Sequence, residues 1–526
     1  MAIIPSNTQF RGDTTGVTIV DKGSSSTNAR AEYFTMQDIA DTVGGVPADN
    51  ISGTGTANKL AKFTGAHTIA NSLLNDNGTS VWNAGAGGID TNTAFGNSAF
   101  INNVSGANNI AIGHQAFSGP STGDFNIALG WQSLQSITSG TENIAIGVNS
   151  LRYTTTGGYN LAFGTSAMSF NQTGSYNTAI GKEALKESTT SSFNTAVGYE
   201  SLKRNTSGGQ NTAIGQQTLG YNTTGGGNAA NGYRALFFNT TGSNNSAFGS
   251  SALYNNTTGS NNVAIGQQTL LSNTASNNTA VGYNAAKNNT TASITAFGKE
   301  SGLSNTTGTG NTFIGDRSGR ANTTGQMNVV VGALALYSNQ TGSYNVAIGR
   351  DSLYSNTTAS FNTAIGYTSL YNNTTGGNNT ASGYQALVFN TTGSSNTASG
   401  YQALRSNTTG SSNTASGLQA LYSNSTGVNN VASGNETLYS NTTGVFNTAN
   451  GYHALRQNTT ASNNTASGSN AMRQNTTGGN NSAVGYDSLR YNTTGANNVA
   501  LGFEALKSNT TGIKNTAIGS EALRQN

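Results

Sequence analysis

Three histidines (His67, His114 and His453), twenty Asp and Glu residues and no cysteine are what this chain offers for catalysis or metal binding. The histidines lie in different stretches, with no second histidine or carboxylate at ligand spacing, so the three or four convergent ligands of a metal centre are not expected. Without cysteine there are no thiolate ligands and no disulfides. Serine is abundant, but no Gly-x-Ser-x-Gly elbow with plausible Asp and His partners stands out. Glycan cleavage would need paired carboxylates acting as acid and base. The acids Glu183, Glu200, Asp351, Glu436, Asp487, Glu504 and Glu521 are instead sparse and set in corners, a placement that serves solubility. Gly53-Thr54-Gly55 lacks the third glycine and the βα unit of a dinucleotide site. Arg11-Gly12-Asp13 is a tripeptide short enough to recur by chance, and the repeated Asn-Thr-Thr sequons are glycosylation acceptors only in a secretory pathway. The expectation is a protein without enzymatic activity, cofactor or metal.

What positions residues in this chain is a repeat. Charged residues make up 8% of the sequence, and Gly occurs 69 times in 526 residues. Such a composition ordinarily buries too little apolar surface to offset the entropy of ordering. Periodicity reverses that expectation. The glycine ending a Thr-Ala-Ile-Gly tetrad recurs from Gly96 to Gly519 in 26 units, spaced 17 residues apart except for two 16-residue units reached at Gly282 and Gly298, each shortened in its turn. A representative unit is Asn362-Thr363-Ala364-Ile365-Gly366-Tyr367-Thr368-Ser369-Leu370-Tyr371-Asn372-Asn373-Thr374-Thr375-Gly376-Gly377-Asn378. Its first residues read as a short strand, its middle as a compact corner or single helical turn, and Asn-Thr-Thr-Gly as a β-turn. Seventeen residues are too few for two helices and a loop, which excludes helical repeat arrays. The pattern predicts an all-β fold, a parallel β-solenoid or β-roll of 26 coils over residues 91–526.

Two positions supply the core of each coil: Ala two residues before the glycine and Leu four after it, as at Ala364 and Leu370. The residue four before each glycine is Asn in 25 of 26 units, Ile294 being the exception, and stacking should align these amides in a ladder. At ~4.8 Å per strand the stack is a rod of ~120 Å.

Side chains alternate along a strand, so the residue before each glycine points away from the core Ala. That residue is usually Ile, Val, Phe or Leu. A strand apolar on both faces must be buried on both, and one coil encloses only one of them. The second face therefore needs a partner chain, and the expectation is an oligomer. At Ser382, Ser399, Ser416, Ser433, Asn450 and Ser467 the same position turns polar, predicting a wetter, water- or ion-filled section of the inter-chain face. Tyr follows the glycine in many units, and Tyr367, Tyr384 and Tyr401 should stack in a ladder. Its two readings are a glycan-contact surface and a simple cover over the seam between coils.

Before the repeats, residues 1–50 form a small mixed region. Gly16–Gly23 reads as strand then turn, Thr35–Val43 as a short helix with a capping-box start, and 44–50 as a linker. A net charge of +3 over the whole length, with no basic cluster, excludes a phosphate-tracking stripe, so nucleic acid is not an expected partner. No stretch has the length of a membrane span, and the first residues show no export signal.

Residues 51–90, from Ile51-Ser52-Gly53-Thr54-Gly55 through Leu60-Ala61-Lys62-Phe63 to Asn71-Ser72-Leu73-Leu74-Asn75, resemble a connector module of bacteriophage tail-fibre proteins. The 17-residue units resemble repeats of such fibres. Their Asn-Thr-Ala-Ile-Gly cores are also similar to the repeats in the heads of trimeric autotransporter adhesins. The resemblance implies a left-handed, homotrimeric fibre shaft on the outside of a virion. Residues 1–50 would then attach to other virion structural proteins, and a host-surface glycan or protein would be the target. In such fibres recognition is concentrated in a terminal tip. The neck, coiled-coil stalk and membrane barrel of an autotransporter are not seen, which places a bacterial cell-surface adhesin second. A depolymerase spike and an ice-binding solenoid are more remote, the latter because it requires a flat, exposed Thr-x-Thr array.

Overall fold

The computed structural model describes residues 91–525 in full and, before them, the backbone of six strands. Strands β1 (Thr8–Asp13), β2 (Gly16–Asp21) and β3 (Tyr33–Phe34) form one antiparallel sheet. Strands β4 (Lys59–Gly65), β5 (Thr68–Asp76) and β6 (Val81–Asn83) form another. The strand expected from Gly16 is present. The helix expected at 35–43 and the linker at 44–50 lie outside the described residues.

From β7 (Thr93–Phe95) to β32 (Thr516–Ile518) the chain adds one short strand per unit, 26 in all. Each pairs in parallel with the strands of the units before and after it, Ala on Ala, as in Ala347↔Ala364↔Ala381. Register survives the two shortened units, where Ala264 pairs Ala280 and Ala280 pairs Ala296. The deletions are absorbed in the turns, as the sequence predicted, because strand pairing and core both fail if the strand slips by a residue.

Between strands the coil makes a corner and not a helical turn. Backbone handedness alternates there: Thr368 and Leu370 both have φ of 51°, and the glycine opening the corner, Gly366, has φ of 129°. A Cβ on Gly366 would also lie 2.5 Å from the carbonyl oxygen of Gly383 in the next coil, so both conformation and space demand glycine. For Leu370 the left-handed conformation is unfavourable in isolation. Stacking holds it, since its amide donates to Ala386 O at 3.0 Å and its side chain is fully buried.

The interior is a column of Ala and Leu, flanked by two amide ladders. In the predicted one, Asn362 N donates to Asn345 Oδ1 (3.0 Å), Asn362 Nδ2 to Gly376 O (3.0 Å), and Asn379 N to Asn362 Oδ1 (2.9 Å). At Ile294 this ladder has no amide to offer. There the strands Ile294–Phe297 and Asn311–Ile314 are each four residues long, one more than their neighbours, and Ile294 pairs with Asn311 through the backbone.

The second ladder was read from the sequence only as turn chemistry. Asn390 Nδ2 donates to Asn373 Oδ1 (2.7 Å), and Asn373 Nδ2 to both Asn356 Oδ1 (3.0 Å) and Gly376 O (2.9 Å). These are the sequon asparagines, and Asn373 is wholly buried, so the motif serves stacking and does not present a glycan acceptor.

One departure from the Ala-and-Leu scheme spans a pair of coils. Phe313 occupies the Ala position and is completely buried, while Gly302 and Gly319 occupy the Leu positions of the preceding unit and of its own, respectively. Cβ atoms at Gly302 and Gly319 would sit 2.7 and 2.3 Å from the Phe313 ring. One large side chain fills the volume of two missing ones, conserving core density.

Candidate functional site: the exposed face of the stacked strands

Because the middle residue, Ala in nearly every strand, points inward, the residues on either side of it point out. In the strand Thr363–Ile365 the middle residue is buried and Ile365 is 41% exposed. The same holds along the stack, where Ile112, Phe163, Ile214, Phe248, Ile265 and Ile314 are all exposed. Over β8 (Ile110–Ile112) to β11 (Leu161–Phe163) both outer positions carry large apolar side chains. The single chain thus presents a straight apolar strip along most of its solenoid, in contrast to the scattered apolar residues of an ordinary surface.

The strip is interrupted where the sequence indicated. Ser399, Ser416, Ser433 and Asn450 are exposed, and Ser382 and Ser467 at the two ends of the block are partly buried. The companion column is also polar there, with Thr380, Thr397, Thr414, Thr448 and Thr465 exposed and Val431 the exception. Apolar residues resume at Val484, Leu501 and Ile518.

The structure also brings Tyr367, Tyr384 and Tyr401 together. Their ring centroids are 5.5 and 5.2 Å apart, and their planes lie within 13° and 7° of parallel. Each ring is nearly half exposed. Both neighbours stack on Tyr384, so the faces that a sugar would stack upon are taken up within the ladder, leaving edges and hydroxyls outward. Sequence inspection missed two further aromatic columns: Tyr159, Tyr176 and Phe193, and Tyr337, Tyr354 and Tyr371. They are legible once the sequence is aligned at period 17.

The corner acids do more than confer solubility, which corrects the sequence reading. Each sits two residues after its glycine, and at Glu183 and Asp487, for example, bases five residues after the glycine reach it from the same coil and from the next. Lys203 bridges Glu183 and Glu200 at 2.7 Å each, and Asp487 holds Arg490 (2.7 Å) and Lys507 (2.9 Å). Burial alone would raise the Asp487 carboxyl, but Lys507 and Arg490 outweigh it and hold it below its ordinary value. The Lys203 ammonium is raised despite its burial, because two carboxylates face it.

His453 meets Glu436 of the preceding coil at 3.1 Å, a pairing that the 17-residue separation hides in the linear sequence. Burial, opposed by Glu436, pushes its imidazole below the ordinary value. Glu436 is also held by Arg456, so the arrangement is a structural clamp. No group of three or more His, Asp or Glu residues able to hold a metal occurs among the described residues. Among them, too, no helix is long and apolar enough to cross a membrane.

A cleft of about 150 Å³ beside Gly220 is lined by Glu200, Lys203, Arg204, Gln217, Tyr221 and Phe237. Glu200, Lys203 and Gln217 are spent on one another or on adjoining coils, and Arg204 stacks over Tyr221 at 4.2 Å.

Fold and surface define the chain as a parallel β-solenoid repeat protein whose most conspicuous surface is a segmented apolar strip. No family model, no curated protein and no solved structure matches it.

Proposed function

We propose that the chain is a structural element, the shaft of a homotrimeric fibre in which the strand faces of three parallel copies meet around a common axis. The observation that carries this reading is the apolar strip. Leaving out the polar block and Asn231, the apolar part is ~90 Å long and ~10 Å wide and offers about 900 Å² per chain, still above the roughly 800 Å² per partner typical of stable interfaces. The rest of the coil is closed by ladders and ion pairs and has rigidity as its evident property. Reach and stiffness are what a shaft supplies.

The resemblance of residues 51–82 and of the repeats to phage fibre proteins supports a place on the outside of a virion. In that setting the N-terminal region joins other virion proteins, and the shaft carries recognition of a host-surface glycan or protein outward. The alternative is a trimeric adhesin on a bacterial surface, which uses the same shaft physics.

Sedimentation velocity on the purified chain tests the proposal by reporting mass and frictional ratio together. The expected result is a strongly elongated particle of three chains. A monomer at micromolar concentration would sink the shared-strip argument, and with it the trimeric shaft.

A further inference from the structure

The geometry points to a second role for the polar block between Ser382 and Ser467: it fixes the register and direction in which copies of this chain associate. This inference rests on the self-association proposed above and names its partner surface, the same block on another copy.

Three features lead to it. First, the outward column is a linear code with unequal segments: apolar from Phe95 to Ile365 apart from Asn231, polar from Ser382 to Ser467, and apolar again at Val484, Leu501 and Ile518. Second, every coil is otherwise nearly identical in backbone and spacing, so backbone shape favours no register over a slip by whole coils. Third, the block is exposed at its four central positions, partly buried at its two ends, and lacks any charged side chain, so only hydroxyls and one amide distinguish it from the strip on either side.

With parallel copies in register, hydroxyls face hydroxyls and can share hydrogen bonds or water, while Ile and Val face their like. Each coil of slip creates one mismatch at each end of the block. A slip of one coil sets Ile365 on Ser382 and Ser467 on Val484, burying polar atoms against hydrocarbon. The disadvantage grows with slip until the whole block is covered by the strip from Val281 to Ile365. Head-to-tail association fares no better, because reversing one copy lays Ser382–Ser467 against the segment from Asn231 back to Ile146. Parallel association in register is the one arrangement that satisfies the block over the full length of the strip, because a reversed copy shifted to lay block on block overlaps in only 12 of the 26 coils. A uniformly apolar strip would be stickier but would not discriminate among registers.

The absence of cysteine makes the test direct. Single substitutions Ile214→Cys, Ser416→Cys and Leu501→Cys are made in the otherwise unaltered chain, and purified assemblies are oxidised. In-register parallel copies bring each cysteine to its own counterpart, so all three variants are expected to form disulfide-linked dimers. A co-assembled mixture of Ile214→Cys and Ser399→Cys reads the head-to-tail arrangement and is expected to give no mixed disulfide. Replacing all six block residues with Ile should retain oligomer mass while homotypic linking falls several-fold in favour of slipped pairs. Elongated oligomers that link Ile214→Cys to Ser399→Cys, or a six-residue replacement that leaves the pattern unchanged, would overturn the inference while leaving self-association standing. A monomer overturns both. Should the six-residue replacement not fold, the single-cysteine pattern alone decides between the two arrangements.

Discussion

At the scale of single residues, the exchange around Phe313 shows that this core is specified by volume per pair of coils and not by identity at each position. Phe313→Ala removes a fully buried ring flanked by Gly302 and Gly319, which have no side chain to fill the space, with only buried Ile294 close to the Gly302 side. The expected cost is about 3–5 kcal/mol. Gly302→Leu and Gly319→Leu introduced together should destabilise as well, because their Cβ atoms meet the ring. With Ile294→Asn added, because Ile294 Cδ1 lies 3.2 Å from a Cβ at Gly302, the combined variant restores the scheme used elsewhere, in which Leu tolerates the same left-handed backbone: φ is 58° at Gly302, 56° at Gly319 and 51° at Leu370. It is therefore expected to regain parental stability in chemical denaturation. A combined variant as unstable as the sum of its parts would show that volume is not the governing quantity.

At the scale of the coil, the ion pairs in the corners make stability depend on pH in a direction that can be worked out. Asp487, Glu183, Glu200 and Glu300 all titrate below their ordinary values in the folded chain. Their contribution is therefore present above the ordinary values, 3.8 for Asp and 4.5 for Glu, and is lost as pH falls through the lowered ones. The depressed imidazole of His453 adds an earlier, smaller loss that begins as pH drops below 6.5. Lys203 is raised, so its contribution is complete below 10.5 and fades only above that. Thermal unfolding should be flat from about pH 7 to 10, decline slightly toward pH 5 and fall steeply below about pH 4. Asp487→Asn should weaken the coils around it at neutral pH by about 1–3 kcal/mol and flatten the acid limb. Hydrogen exchange, which resolves neighbouring coils, reads this directly; an unchanged acid limb would assign the pH dependence elsewhere.

What the sequence disclosed at this scale follows from periodicity. Coil length, strand position, the Ala and Leu columns, the first amide ladder and the polar block each repeat one residue type at one position, which a single aligned column exposes. What it concealed depends on relations between columns. The second ladder hid behind a familiar turn motif, because Asn-Thr-Thr-Gly is equally good chemistry for an isolated turn. The ion pairs join residues 3 and 20 apart, and the second spacing is meaningful only after coils are stacked. Alternating backbone handedness at residues such as Leu370 could not be read from propensity, since Leu disfavours that conformation and is held there by the next coil. The apolar strip was legible, but whether a chain covers it is a property of the assembly.

At the scale of the whole molecule, each coil bonds only to its neighbours, so stability is a sum of unit and interface contributions and length is free to vary in whole units. The amide ladders sharpen this rule. A deletion that keeps the 17-residue phase rejoins Asn to Asn and Ala to Ala, whereas one that breaks phase leaves buried amides without partners and turns core residues outward. Excision of residues 384–468, five complete units, joins Gly383 to Ser469 at equivalent positions and should leave the unfolding midpoint close to that of the parent. Removal of residues 384–460 ends eight residues earlier and places a turn segment where a strand corner is required, so the coils beyond the junction should lose their protection from hydrogen exchange. Small-angle scattering supplies the second readout: at ~4.8 Å per coil the in-phase variant should be shorter than the parent by ~24 Å with its cross-section unchanged. A rod that fails to shorten by that amount, or an out-of-phase variant that folds equally well, would mean that the coils are not the independent, stackable units that the ladders imply.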